Sequence, residues 1–441
     1  MSARIRLPEL HRERLPNGLE ILVADRPGIP LVAVRLIVAA GSAIDPDRGH
    51  GLANLVVQVA RRGTERRSGQ EIDEEIESLG AELGCAADED ASGFGLSAPS
   101  ESLANLLDVV VDVVTAPTFP TKEFERVRRR EVASIAHVLD DPGAVADRAM
   151  LRAAYSDHPY AHPPDGRRAH LAALRRRDLI AFHRRWYAPE GATLVVVGRI
   201  DPAEALALAR RKLGRWRPRA AEAAPAPPAP PAVERRVIVV DKPDATQVQL
   251  RIALPALPRS TPDYFPAIVA NAVFGGGFTS RLVEEIRVNR GLSYGVRSRF
   301  GMSRGGGLFF ISSFTKTETA AELVSVALDE AARFADGGPS ADELLRTQNW
   351  LAGLHPLSLE THEQLAEKLA DAWLYEFPLE QVTDYADKVR AVTAEQCTSV
   401  ARSCFPVDGR GVIVAVGRAK EVAKRLRGFG PIELVPPSRI I

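Results

Sequence analysis

The fold prediction for this chain of 441 residues begins with one segment, Gly49-His50-Gly51-Leu52-Ala53-Asn54-Leu55-Val56-Val57-Gln58-Val59-Ala60-Arg61-Arg62-Gly63-Thr64. Four of its apolar residues recur at the spacing of one helix face: Leu52, Leu55, Val56 and Val59. This spacing is typical of an amphipathic helix with a buried side, and Gly63 marks its end. The segment is therefore predicted to be a core helix.

Two short signatures frame this helix, Gly51-Leu52-Ala53 before it and Gly63-Thr64 after it. With this frame the segment resembles the motif helix of the pitrilysin/insulinase family of zinc peptidases, whose inverted motif is His-x-x-Glu-His. The first histidine, the catalytic glutamate and the second histidine of the family fall on Asn54, Val57 and Gln58. Amides are poor zinc ligands beside imidazole, and valine cannot transfer a proton.

The family takes its third zinc ligand from a glutamate on a later helix, upstream of an acidic-acidic-proline turn. Here that helix is predicted over residues 124–139, ends at Asp140-Asp141-Pro142, and has Ser134 at the ligand position. All three ligands and the catalytic base are therefore replaced. The resemblance implies a member of the family that binds no zinc and no other cofactor.

Composition limits the classes of partner. The chain has 45% hydrophobic residues, enough for at least two cores, and its 57 basic and 57 acidic residues balance. A neutral chain gives no reason to expect nucleic acid or an anionic membrane as partner. Three cysteines in no spaced cluster argue against a disulfide framework, and no apolar run has the length of a signal peptide or a membrane span. We expect a soluble cytoplasmic protein.

Periodicity predicts the elements of the first half. Strands are expected at about 14–23, 31–38, 82–98 (a pair) and 193–198, and helices at about 69–79, 100–115, 122–139 and 175–187. Residues 220–232 are rich in proline and alanine, so they can join neither a helix nor a sheet and should form an extended connector. The predicted divisions are an N-terminal half at 1–219, a linker at 220–234 and a C-terminal half at 235–441.

The two halves have similar ends. Tyr187-Ala188-Pro189 leads to Val195-Val196-Val197-Gly198-Arg199, and Phe405-Pro406 leads to Val414-Ala415-Val416-Gly417-Arg418. The second half also begins with predicted strands at 235–240 and 247–253, followed by helices at 262–274 and 280–290. We predict two homologous α+β halves, each an antiparallel sheet with helices on one face. The family resemblance implies that they enclose a cavity.

A second signature lies in the C-terminal half, Phe274-Gly275-Gly276-Gly277-Phe278-Thr279-Ser280-Arg281-Leu282, followed by Glu285-Ile286-Arg287-Val288-Asn289-Arg290-Gly291-Leu292-Ser293-Tyr294. It resembles the glycine loop and the arginine/tyrosine pair of the family, and the pair falls on Arg287 and Tyr294. In active relatives the pair holds the substrate main chain and stabilises the tetrahedral intermediate, a role that suits guanidinium and phenol donors. Gly291 is expected to be left-handed and to lead into a strand that contains Tyr294.

Each feature also has a structural interpretation. The arginine and tyrosine could be a solvated helix end and a half-buried strand residue, and Gly275, Gly276 and Gly277 could simply end a helix. The resemblance instead suggests a mobile, substrate-contacting loop, as in the non-catalytic subunit of mitochondrial processing peptidase. His158-Pro159-Tyr160-Ala161-His162 is interpreted as a structural loop rather than a metal site, and short arginine runs as solvated helix faces.

The strand that pairs with substrate in active relatives corresponds to Gly80-Ala81-Glu82-Leu83-Gly84-Cys85-Ala86-Ala87. The asparagine and threonine of the family pattern are missing from it. Pairing of a peptide with this edge is therefore doubtful, although a backbone ladder needs no particular side chains.

The hypothesis that follows is a non-catalytic, substrate-binding subunit of a heterodimeric zinc metallopeptidase. A homologous partner with an intact motif would supply the zinc, and this chain would supply Arg287 and Tyr294 for a peptide substrate. The alternative is a structural or scaffold protein, like the peptidase-derived core subunits of respiratory complexes. An autonomous zinc peptidase would need a rebuilt metal site, and the sequence contains no such site.

Overall fold

The computed structural model describes residues 6–217 and 225–441, and its strands form two six-stranded sheets. The first sheet has the order β1-β2-β6-β3-β5-β4, with β1 at Leu10–Arg14, β2 at Glu20–Asp25, β3 at Leu31–Val38, β4 at Gly84–Ala87, β5 at Ser92–Pro99 and β6 at Ala192–Gly198. The second has the order β12-β7-β11-β8-β10-β9, with β7 at Arg236–Asp241, β8 at Val248–Ala256, β9 at Val296–Met302, β10 at Gly307–Thr315, β11 at Val412–Gly417 and β12 at Ile432–Val435. The two orders correspond strand by strand from β2 and β7 onward, as expected of a duplicated unit.

The predicted α+β class is confirmed, but neither sheet is purely antiparallel. Strand β2 runs parallel to β6, and β7 runs parallel to β11 and β12, whereas the remaining pairs are antiparallel. Long helical connections separate β2 from β6 and β7 from β11, and such crossovers permit parallel pairing. The sequence pattern of a strand does not reveal its direction.

Sixteen α-helices surround the sheets in the described part of the chain. The N-terminal half contributes α1 at Leu52–Ala60, α2 at Gly69–Ser78, α3 at Leu103–Thr115, α4 at Thr121–His137, α5 at Pro142–Tyr155, α6 at Arg168–Ala173, α7 at Arg176–Trp186 and α8 at Pro202–Leu213. The C-terminal half contributes α9 at Tyr264–Asn271, α10 at Ala320–Gly337, α11 at Ala341–Leu354, α12 at His362–Leu374, α13 at Glu380–Thr383, α14 at Tyr385–Arg390, α15 at Ala394–Cys404 and α16 at Ala419–Leu426. None of the helices described is both long and apolar enough to cross a membrane.

The chain forms two compact units, and each unit takes a helix from the other half of the sequence. The first unit comprises the described residues of Met1–Ala133, Pro163–Pro225 and His355–Asp384, and the second those of Ser134–His162, Ala226–Leu354 and Tyr385–Ile441. Helix α12 packs on β3 and β6 of the first sheet, and α5 packs on β8 and β11 of the second. The linker therefore divides the sequence into halves, whereas each compact unit is built from both halves.

These exchanged helices correct the expectation that helices cover only one face of each sheet. Leu22, Ala33 and Val195 of the first sheet form one buried cluster with Leu365 and Leu369 of α12. Their neighbours along the strands point to the opposite face, which is also buried. A near-continuous apolar strand such as β3 is the sequence signal for burial on both faces.

The described part of the proline-rich linker is anchored to the second unit. The Nε2 atom of His158 donates to the carbonyl of Pro228 over 2.7 Å, and its Nδ1 accepts from the amide of Tyr160 over 3.1 Å. Residues 225–232 join neither helix nor strand, as predicted, and the prediction for 220–224 lies outside the described residues. Because both ring nitrogens of His158 are used, the structural interpretation of this histidine loop is supported.

Candidate functional site

The degenerate motif helix α1 begins at a cap made by Asp45. The Oδ2 and Oδ1 atoms of Asp45 accept hydrogen bonds from the amides of Gly51 and Ala53 over 2.7 and 2.9 Å. Burial raises the pKa of this carboxyl to about 7, although these backbone hydrogen bonds act in the opposite direction. Gly51 has φ of +100°, a left-handed conformation that few other residues adopt. The cap fixes the start of α1 and therefore the positions of Asn54, Val57 and Gln58.

The three motif positions of α1 hold no metal-binding group. Val57 is fully buried, while Asn54 and Gln58 are partly exposed. The amide nitrogen of Gln58 donates to the carbonyl of Cys85 over 2.9 Å, and its oxygen accepts from Arg130 Nη2 over 3.4 Å. Both ends of this amide are thus engaged within the first unit.

A zinc ion does not fit these residues. The guanidinium of Arg130 lies beside Gln58, where it would repel a divalent cation, and Ser134 is an exposed hydroxyl one helical turn further along α4. Burial raises the pKa of the nearby Cys85 thiol to about 12, so this cysteine is not a ready thiolate ligand. Over residues 6–217 and 225–441 no three His, Cys, Asp or Glu side chains are grouped to hold a metal ion.

The first prediction is that restoring the two histidines does not create a peptidase. Asn54→His with Gln58→His still lacks a third ligand and a general base, and it leaves Arg130 beside the site. We expect the purified parental chain to contain no stoichiometric zinc by elemental analysis, and the double variant to hydrolyse no peptide without a partner. Chelator-sensitive cleavage by either protein alone would show that the chain binds a catalytic metal with other residues.

The free edge of the first sheet is capped by side chains from α1. The carbonyls of Leu83 and Cys85 accept hydrogen bonds from Arg61 Nη1 and Gln58 Nε2, each over 2.9 Å. Carbonyls two residues apart point to the same side of a strand, and β4 is the last strand of its sheet. A peptide that added to this edge would compete with both side chains. This geometry supports the expectation that substrate pairing here is doubtful.

A groove of about 720 Å³ lies beside this edge, between α12 and strands β3, β5 and β4. Its floor contains Gly84, Gly93 and Gly95, where an added Cβ would meet no atom closer than 3.5 Å. The lack of side chains, rather than a close backbone approach, therefore keeps the groove open. Four carboxylates and one guanidinium line it: Glu82, Asp88, Glu363, Asp371 and Arg35. The sequence signal for this groove is the pair of glycines at alternate positions of β5, since glycine in a strand marks open space or a close approach. This pair was not among the predicted site residues.

In the second unit the structure brings Arg287 and Tyr294 together. The Arg287 Cζ atom lies 4.5 Å from the ring centroid of Tyr294 and 5.1 Å from that of Phe278. Both rings are mostly exposed, at 77% for Tyr294 and 75% for Phe278. Cation–π contacts with two rings restrict the guanidinium, and Arg287 itself is partly exposed. Phe278 is a member of this cluster that the sequence analysis did not single out, although it directly follows the three glycines.

Local backbone structure presents these side chains. Arg287 lies in a π-helical turn, Val283–Asn289, and Gly291 is left-handed with φ of +59°, as predicted. Tyr294 lies in the loop before β9 and not in the strand, so that detail of the prediction was wrong. The Ser293 hydroxyl donates to the Gly295 carbonyl and accepts from its amide, over 3.0 and 3.2 Å, and this local turn replaces ladder pairing.

The glycine loop is closely packed against its surroundings. A Cβ at Gly275 would lie 2.6 Å from Ser298 Oγ, and one at Gly276 would lie 2.5 Å from Asn271 Nδ2. At Gly277 the nearest atom, a backbone carbonyl oxygen, would be 3.1 Å away. Close packing therefore accounts for the absence of a larger residue at Gly275, and backbone carbonyls 3.2 and 3.1 Å from the added Cβ disfavour one at Gly276 and Gly277. Substrate contact by this loop stays a prediction.

Comparison with known proteins identifies the family. Residues 20–164 match the family model described as Insulinase (Peptidase family M16), and residues 173–351 match the one described as Peptidase M16 inactive domain. An uncharacterized zinc protease of Mycobacterium leprae is 25% identical and aligns over 94% of this chain and 94% of its own. One of Bacillus subtilis is 21% identical over 90% of this chain and 96% of its own.

Solved structures agree with this assignment. A crystal structure described as the peptidase M16 inactive domain from Pseudomonas fluorescens covers 92% of this chain and 98% of its own, with a TM-score of 0.86 and 27% identity. A protease from Helicobacter pylori has the same fold, with a TM-score of 0.85, 18% identity, and coverage of 93% of this chain and 100% of its own. The chain belongs to the insulinase (M16) family of peptidases, so the resemblance inferred from its motifs is confirmed.

Proposed function

We propose that this chain is the non-catalytic, substrate-binding subunit of a heterodimeric zinc peptidase. The observation that supports the proposal is a contrast between the two sites. At the position of the second zinc ligand on α1, the amide of Gln58 lies beside the guanidinium of Arg130. In contrast, the arginine and tyrosine of the family motif are both present, as Arg287 and Tyr294, and they contact each other on an exposed surface. A homologous partner with an intact motif would supply the zinc chemistry.

The proposed contribution of this chain is to hold and polarise the peptide. A guanidinium and a phenol both donate hydrogen bonds, so they can bind the carbonyl oxygen on which negative charge develops during attack. Contact with the rings of Tyr294 and Phe278 limits the orientations of Arg287 before substrate arrives, which reduces the entropy lost in the transition state. Because Gln58 and Arg61 cap the edge of β4, pairing of the peptide with a sheet edge is assigned to the partner.

A scaffold protein is the second candidate, and two observations favour it. The capped edge and the closely packed first two glycines are both explained by internal structure alone. In either case we place the protein in the cytoplasm, where its three free thiols, Cys85, Cys397 and Cys404, would stay reduced.

Assembly is the experiment that separates the two candidates. Affinity purification of the full chain from its own cells, with identification of bound proteins, should yield a chain of similar length with an intact His-x-x-Glu-His motif. A stable interface of this kind buries upwards of roughly 1,200 Å² in total. Size-exclusion chromatography of the two chains, separately and together, should therefore show a complex that elutes earlier than either chain. The mixture should cleave unfolded peptides, and this chain alone should not. Absence of any complex at micromolar concentrations would favour the scaffold protein.

A further inference from the structure

A small pocket lies next to the arginine/tyrosine pair in the second unit. It has a volume of about 180 Å³, and its apolar lining includes Phe278, Trp350, Ala272 and Val273. A dry apolar cavity of about 150 Å³ is known to hold benzene. The volume therefore suits one aromatic ring or one large aliphatic side chain.

Two charged residues, Glu343 and Arg346, also line this pocket, and the carboxylate of Glu343 is fixed and neutralised. Glu343 accepts from Arg281 Nε over 2.7 Å and from Nη2 over 2.8 Å, and it also accepts from the Ser340 amide. The hydrogen bonds from Arg281 lower the pKa of Glu343 to about 2. Because this carboxylate is paired already and Arg346 is itself a cation, the pocket offers little attraction to a cation. Its apolar residues suit an uncharged side chain.

Phe278 connects the pocket with the proposed peptide-binding pair. Its ring lines the pocket and also lies 5.1 Å from the Arg287 Cζ atom. Residues of an extended peptide advance about 3.3 Å each, so a main chain held by Arg287 reaches the pocket within one or two residues.

The third glycine of the loop borders the same pocket. A Cβ added at Gly277 would lie 3.7 Å from Cζ3 of Trp350. A larger side chain there would extend toward the indole and fill the pocket. Gly277 thus leaves the space between the loop and α11 open, and the backbone carbonyl of Ala272, 3.1 Å from a Cβ placed there, also disfavours a larger residue.

We propose that this loop pocket binds an aromatic or large aliphatic side chain of the peptide, close to the residue held by Arg287 and Tyr294. The proposal deepens the proposed function and rests on it for the identity of the ligand as a peptide. The pocket itself belongs to this chain alone, so it can be tested without a partner.

The first test uses the isolated full-length chain and N-acetyl-phenylalanine amide as the probe. In a ¹⁵N NMR titration the indole N–H signal of Trp350 should shift, whereas the uncharged N-acetyl-alanine amide, which lacks the ring, should leave it unchanged. For the variants, binding is followed on the probe by saturation-transfer difference NMR of its phenyl protons, which needs no tryptophan reporter. This signal should be lost in Trp350→Ala and Gly277→Val, and retained in Trp350→Phe, which keeps an aromatic wall. Trp186→Ala is the matched control, because Trp186 lies in the first unit, away from the pocket. An unshifted indole signal at saturating probe would overturn the proposal.

The second test uses the assembled enzyme and a peptide series that differs at one position. One methylene group in an apolar pocket is worth about 10–200-fold in discrimination, so the parental enzyme should prefer Phe over Ala by at least about that factor. Trp350→Ala should abolish this preference. If Trp350→Ala leaves the preference of the assembled enzyme unchanged, the proposal for the loop pocket is wrong, whereas the proposed heterodimer still holds. If the chain binds the probe but forms no complex with a peptidase, the pocket proposal holds and the proposed function is wrong.

Discussion

Tyr294→Phe is expected to lower the turnover of the assembled peptidase by about 10²–10³-fold, the usual loss for one oxyanion donor. The substitution removes one hydroxyl and keeps the ring that lies 4.5 Å from the Arg287 guanidinium. Since Tyr294 is 77% exposed, the core is unaffected and the fold should persist. Single-turnover kinetics with saturating peptide measure the effect, and partner binding and zinc content should stay at the parental level.

A matched control is available elsewhere in the second unit. Tyr264 also contacts an arginine, with the Arg259 Cζ atom 3.8 Å from its ring centroid. Tyr264→Phe therefore removes a hydroxyl from a similar pair that has no proposed role, and it should leave turnover unchanged. If Tyr294→Phe and Tyr264→Phe reduce turnover equally, the loss comes from lower stability of the fold and not from a missing hydrogen bond to the oxyanion.

Arg287→Ala is expected to reduce both peptide binding and turnover. A hydrogen bond to a charged donor contributes about 1.5–3 kcal/mol, so peptide affinity should fall by about 10–150-fold, and turnover should fall further because the donor also faces the developing charge. Arg287→Lys keeps the charge but not the planar donor fork, so it should recover only part of the loss. Fluorescence anisotropy with a labelled peptide and steady-state kinetics measure the two effects separately.

Arg259→Ala provides the corresponding control, since it removes the same side chain from the other tyrosine contact. If Arg287→Ala and Tyr294→Phe both assemble and cleave at the parental rate, the pair is ordinary surface. The scaffold protein would then be the better hypothesis.

Motif framing and periodicity predicted much of this molecule. Strand β3 spans Leu31–Val38, as expected from its apolar run, and α1 lies within the segment framed by Gly51 and Gly63. The motif also placed Arg287 and Tyr294 together, because local backbone geometry determines where residues seven apart on one turn and loop will lie. Local patterns are informative wherever the interacting residues are close in sequence.

Features that depend on distant residues were not predictable. The periodicity of α5 and α12 shows that each has an apolar face, but not which sheet that face covers. The bonds from Gln58 and Arg61 to the β4 carbonyls follow no side-chain pattern, because any strand offers the same acceptors. Trp350 lies far from Phe278 in sequence, so the loop pocket became visible only in three dimensions.

The exchange of α5 and α12 bears on how this architecture arose. Both helices occupy the same place in their halves, after two long helices that follow a strand hairpin, and both cover equivalent strands of the sheet built by the other half. Fusion of two gene copies that encode a domain-swapped homodimer produces such an arrangement. In such a dimer each copy covers the open face of the sheet of the other copy, as α5 and α12 do here. The proline-rich connector would then be the segment that joins the two copies into one chain.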